Sequence, residues 1–213
     1  ENGINSIKSE CEGINWYNNL SKNKIIYNFE KKTKTYYKVK IDVNRGFFNI
    51  TFNPNYFNGK KYLDLTINHY IQIWEDYKSY EFAPFHGDLS LVGNVLFNKA
   101  DEVLFVDWEH FNNNSKIPTG MDIIMLLLEN VFHDLKKYKK IREDVLIHVA
   151  KSIKTLKTSK LLSPLLFQNP AMSTLNFVNL NSFIWNKQFF KLPILKFSKN
   201  NIEEIDDRLS KIL

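Results

Sequence analysis

The sequence predicts an α+β fold, with antiparallel strands in the first half of the chain and helices in the second. Three runs rich in Ile, Val, Tyr, Phe and Thr, at residues 25–30, 35–43 and 47–52, are parted by EKKTK and NRG. β-Branched and aromatic residues between turn-forming clusters read as antiparallel strands. Two shorter apolar runs, 95–97 and 103–106, flank the polar turn 98–101 and predict a hairpin. After residue 119 the apolar residues recur at helical spacing instead.

The first element is an expected helix over 6–20, with Ile7, Cys11, Ile14 and Tyr17 or Leu20 along one face. After the three strands, residues 51–59 form a connecting segment. A strongly amphipathic helix is expected over 63–78, where Leu63, Ile67, Tyr70, Ile71, Trp74 and Tyr77 align. His69 within it meets no obvious partner in the sequence and is expected to be packed or solvated. Met121, Ile124, Met125, Leu128, Val131, Phe132 and Leu135 define a deeply packed helix over 119–135. Asp122 falls in its first turn, where a carboxylate caps N–H groups and complements the helix dipole. The basic run 136–140 reads as a solvated helix end. Val145, Val149, Ile153 and Leu156 mark a helix over 142–156, and Pro164 and Pro170 mark breaks. Residues 175–190 are expected to be helical. Residues 201–213 close the chain with Ile202, Ile205, Leu209 and Ile212 or Leu213 aligned.

At 213 residues, 44% hydrophobic and 24% charged, the chain can bury an ordinary core as one domain or two small lobes. Its net charge of +6 suits an anionic ligand, and is equally what a Lys-rich surface gives. Cys11 is the single cysteine, so no internal disulfide forms, which fits a cytoplasmic setting. No signal peptide is visible, and the longest apolar run, 123–128, is far too short for a membrane span. Repeats and low-complexity tracts are absent, and no nucleic-acid partner is expected.

Chemistry concentrates in residues 85–111, FHGDLSLVGNVLFNKADEVLFVDWEHF. A hairpin over this stretch carries polar groups at its open end, so Asp88, Asn94 and Asp107 can converge although distant in sequence. Two carboxylates and an amide oxygen make a hard-oxygen cluster. That suits Mg²⁺, which keeps water and phosphate oxygens as its other ligands.

At HGDLxxxxN followed by DWE, the chain resembles the aminoglycoside phosphotransferase and choline kinase superfamily, small-molecule relatives of the protein kinases. The resemblance implies a protein-kinase-like fold. Residues 1–58 would be a remnant of the small N-terminal lobe, and residues 59–213 the mainly helical catalytic lobe. It also implies ATP and Mg²⁺ as cofactors and transfer of a phosphoryl group to a small-molecule hydroxyl: choline, an amino sugar or a sugar-like acceptor. By motif position Asp88 is the catalytic base facing that hydroxyl, and His86 braces the catalytic loop. Asn94 and Asp107 hold the metal ions that bridge the ATP phosphates. Glu10, in ECEGINWY, matches the helix glutamate that pairs with a strand lysine and orients it toward the phosphates. Residues 51–59 match the segment that contacts adenine through its backbone, and Gly120-Met121-Asp122 matches the Gly-x-Asp that opens a large-lobe helix. Trp185, Phe189, Phe190, Asp206 and Asp207 are candidate acceptor contacts, equally explained by packing and solvation.

Two departures stand beside the resemblance. Asn94 follows Asp88 by six residues, one more than is usual in the family, and Gly93 is read as admitting a bulge there. Only nine residues precede Glu10, with neither a glycine-rich turn nor a strand lysine among them. Truncation, omission and true absence of that part stay open, and ATP is expected to bind only weakly to these residues alone.

Three rival readings compete. A protein kinase would usually have Arg where Gly87 stands, DFG in place of DWE, and a longer segment than 110–119 before Gly120. A catalytically impaired, kinase-like nucleotide-binding or scaffold protein fits the departures. A metal-dependent hydrolase built on His86, Asp107 and His110 lacks regular ligand spacing.

Overall fold

A computed structural model describes residues 2–31, 37–42, 46–50, 59–113, 116–180 and 197–213. Its class is α+β, as expected. The order is α1 (Asn2–Leu20), β1 (Ile26–Lys31), β2 (Tyr37–Asp42), β3 (Phe48–Asn49), α2 (Gly59–Ile73), β4 (Val95–Phe97), β5 (Val103–Phe105), α3 (Met121–Tyr138), α4 (Glu143–Thr158), α5 (Pro164–Gln168), α6 (Pro170–Leu180) and α7 (Lys199–Ser210). The chain packs as two compact units. One comprises Glu1–His69 and Pro84–Ser115, the other Tyr70–Ala83 and Lys116–Leu213. They interleave along the sequence.

In the first unit, α1 buries Glu10, Gly13, Ile14, Tyr17 and then Ser21 just beyond its end. That stripe of helical period is displaced from the expected one, which leaves Ile7, Cys11 and Leu20 only partly covered. The chain then turns into β1 through Asn18. Its amide donates to Ile25 O at 2.7 Å and accepts from Ile25 N–H at 2.8 Å. β1 and β2 pair antiparallel from Ile26↔Asp42 to Lys31↔Tyr37. The run expected as a strand over 47–52 is β-structure at Phe48–Asn49, and it pairs with β4 rather than β2. The aromatic side chains give the physical reason. The Phe48 ring meets Tyr62 edge-on at 6.5 Å, and Tyr62 meets Phe97 at 4.7 Å. β4 and β5 form the expected hairpin, in register Val95↔Phe105. Asn98 organises its turn by accepting from the N–H groups of Ala100 and Glu102, both at 2.9 Å.

The predicted helix 63–78 is observed as α2, followed by a 3₁₀ turn over Glu75–Tyr77. Its buried stripe is Leu63, Ile67, Tyr70, Ile73 and Trp74, with Ile73 in the place expected for Ile71. In the second unit, α3 is buried over most of its first three turns, and α4 buries Val145, Val149, Ile153 and Leu156 as expected. The α3–α4 turn is held by Asp134, almost fully buried, which receives Arg142 Nε at 3.0 Å and Nη2 at 3.2 Å. Asp122 is buried in the first turn of α3, where its charge helps raise the Tyr70 hydroxyl pKa after burial itself. The basic run after α3 is exposed at residues 136 and 138–140.

Pro164 and Pro170 open helices rather than only ending them. Each stands first in its helix, where a missing N–H costs nothing. The helix expected over 175–190 therefore starts at Pro170, and its part beyond Leu180 lies outside the described residues. Asp206 on α7 explains that start. Its carboxylate accepts the N–H groups of Ala171 and Met172, each at 2.8 Å, so it caps α6 from a distant element. Asp206 is thus structural, Asp207 is exposed and paired with Lys211, and Trp185, Phe189 and Phe190 lie outside the described residues. Among the described residues, no helix is long and apolar enough to cross a membrane.

Candidate active site

The motif segment begins and ends at one point of the first unit. Phe85 N–H donates to Asn112 O at 3.0 Å, and Asn112 N–H returns to Phe85 O at 2.9 Å. Between them the chain runs through the HGD loop, β4, the Asn98 turn, β5 and DWE. Gly87 takes φ +95°, and a Cβ there would stand 2.4 Å from His110 Cβ. Only glycine fits where the loop passes His110 so closely.

His86 is fully buried and joins the HGD loop to the residue after β5. Its Nδ1 accepts from Asp88 N–H at 3.4 Å, and its Nε2 lies 3.1 Å from Val106 O. A carbonyl only accepts, so the proton sits on Nε2. Burial pushes the imidazole pKa down to about 3, with the Val106 bond opposing and His110 adding to the fall. His86 is therefore a neutral brace with both nitrogens committed. A His-based metal cluster with Asp107 and His110 does not form, since the His86 nitrogens face backbone groups.

Asn94 meets Asp88 directly. Its Nδ2 donates to Asp88 O at 2.5 Å and to Asp88 Oδ2 at 3.1 Å, which turns Oδ1 away from that carboxylate. The additional residue in this spacing is taken up by a helical turn, closed by Asn94 N–H to Ser90 O at 2.9 Å. Gly93 plays no special part in it: its φ is not positive, and a Cβ would meet nothing nearer than Ser90 at 3.8 Å. The expected glycine bulge is replaced by this turn.

Asp107 is fixed through the two residues before it. Val106 N–H donates to Asn94 O at 3.0 Å, and Val106 O meets His86. One step earlier, Phe105 N–H donates to Tyr17 Oη at 3.2 Å, and Phe105 O accepts from Trp108 Nε1 at 3.0 Å. Asp107 itself takes φ +67°, a left-handed conformation that aspartate tolerates and that ends the strand. The residue is exposed, yet desolvation of its carboxyl raises its pKa, with His110 pulling the other way. Glu109 beside it lies 3.5 Å from His110.

Glu10 reaches this place from α1. It is 6% exposed, and its Oε1 has no hydrogen-bond partner among the described residues. Burial first, then the charges of Asp107 and Glu109, push its pKa up to about 8, against a backbone hydrogen bond from Trp108. The close approach of α1 depends on Gly13. A Cβ there would stand 2.6 Å from Trp108 Cβ and 2.8 Å from Phe111 Cβ.

The structure thus joins Asp88 to Asn94 directly, places Asp107 one residue from their shared backbone network, and sets Glu10 beside Asp107. Among the described residues no group of three or more His, Cys, Asp or Glu is placed to hold a metal. A cation here would rely on Asp107 and the Asn94 amide oxygen, which Nδ2 bonding to Asp88 leaves free of that carboxylate, and hard-oxygen donors of this kind suit Mg²⁺. Sequence reasoning missed Gly13, Tyr17 and His69 as supports of the site. A glycine inside a helical pattern was the available signal for the first. Compared with family models, curated proteins and solved structures, the chain matches none.

Proposed function

We propose that the chain is an ATP-dependent phosphotransferase of the protein-kinase-like kind, acting on the hydroxyl of a small molecule such as choline or an amino sugar. The observation that carries this reading is the coupling of Asp88, Asn94 and Asp107 through Val106 and His86. Asp88 is oriented by the Asn94 amide and takes the acceptor's proton. Asn94 Oδ1 and Asp107 serve the metal, and neutral His86 holds the Asp88 loop to the Val106 strand end. Bound Mg²⁺ would neutralise phosphate charge during transfer. Glu10, buried beside two other acids, is a carboxylate prepared for a cationic partner such as the lysine the family resemblance implies.

A catalytically impaired nucleotide-binding protein is the second reading. It is favoured by Glu10 having an unpartnered oxygen among the described residues. Calorimetry of the full-length chain with ATP, with and without Mg²⁺, joined to a phosphate-transfer screen over choline, amino sugars and sugars, decides between them. Magnesium-dependent binding with transfer supports the enzyme, binding without transfer supports the impaired protein, and no binding overturns both.

A further inference from the structure

One strand edge near the site is closed by side chains instead of by another strand. Among the described residues β5 pairs with β4 alone, and opposite Val95 the N–H and C=O of Phe105 point away from that ladder. Buried backbone groups require partners. The carbonyl finds Trp108, whereas the N–H finds the hydroxyl of Tyr17, which is wholly buried on α1. The same hydroxyl lies 2.7 Å from His69 Nε2 on α2, and donates to it in the tautomer that leaves Nε2 without a proton. The rings reinforce the contact: His69 packs edge-on against Phe105 at 4.8 Å, and Tyr17 lies 5.2 Å from Trp108. Tyr17 thus ties α1, α2 and the end of β5 together, two residues before Asp107.

We infer that Tyr17 and His69 are positioning residues for Asp107, acting through the Phe105 N–H to set where that carboxylate meets its cation. The inference rests on the kinase reading for the identity of the cation. The hydrogen bond from Phe105 stands independently of it. Neither residue touches nucleotide or acceptor in this account, so their effect must appear in the metal requirement.

The test compares Tyr17→Phe, His69→Leu and the double variant in the full-length chain. Two quantities are read: amide exchange at Phe105–Asp107, and the Mg²⁺ concentration for half-maximal ATP binding. Tyr17→Phe keeps the ring and removes only the hydroxyl. It should speed exchange at Phe105 and raise the half-maximal Mg²⁺ concentration by up to about 10-fold, the lower end of the scale for direct partners of a metal ligand, since Tyr17 acts two residues away. KM for the acceptor should not move. His69→Gln, which retains an acceptor for the hydroxyl, should recover much of what His69→Leu loses, and the double variant should be no worse than Tyr17→Phe alone. A lowered melting temperature with unchanged magnesium dependence would make the pair merely structural and overturn the inference alone. A wild-type chain without magnesium-dependent nucleotide binding overturns the inference and the kinase reading together.

Discussion

Glu10 concentrates the tension between stability and function in one side chain. An unfolded glutamate ionises near pH 4.5, whereas folded Glu10 is held up to about 8. Between those values the unfolded chain releases its proton first, so the folded state loses stability as pH rises through that window and no further above it. Glu10→Gln should therefore melt several degrees higher than wild type at pH 8, since each kcal/mol moves a domain of this size by about 2–4 °C. At pH 4.5 the two should nearly coincide. The same change should impair phosphoryl transfer, because the amide cannot attract a cation. Thermal melts at the two pH values, with turnover alongside, check both halves. The meeting of Asp88 with Asn94 was legible from sequence because the two lie within one short stretch. The partnership of Tyr17 with His69, 52 residues apart, was not, since no local pattern announces a hydrogen bond across such a separation.

At the scale of elements, helices with long periodic faces could be read directly, as α3 and α4 show. What could not be read was what starts or tightens an element from outside it. Pro164 and Pro170 looked like interruptions, and only the carboxylate of Asp206, on α7, shows why a helix begins at the second. Asp206→Ala should destabilise the chain by about 1–2 kcal/mol, because two N–H groups at the start of α6 lose their acceptor. Denaturant unfolding would show it as a shifted midpoint, with the motif chemistry unaffected. Gly13 is the corresponding case for α1. In an exposed helix Gly→Ala gains up to about 1 kcal/mol. Here the new Cβ would meet Trp108 and Phe111 below 3 Å. Gly13→Ala should instead cost about 1–3 kcal/mol through overpacking. A variant that melts above wild type would mean that α1 does not press on the DWE segment as described.

At the scale of the whole molecule, the α+β class followed from residue patterns alone. Each of the two compact units is assembled from separated stretches of chain, which no run of residues marks. The candidate site lies within the first of them, built from α1, the β4–β5 hairpin and the loops at its open end. In the proposed function two carboxylates there divide the labour, Asp88 for the acceptor hydroxyl and Asp107 for the metal. The most direct measurement is magnesium-dependent ATP affinity and turnover for Asp88→Asn and Asp107→Asn in the full-length chain. Asp88→Asn should abolish transfer while leaving affinity nearly intact, and Asp107→Asn should weaken the Mg²⁺–ATP complex as well. Loss of affinity in Asp88→Asn with full affinity and turnover in Asp107→Asn would contradict the assignment, and full activity in both variants would contradict the kinase reading itself.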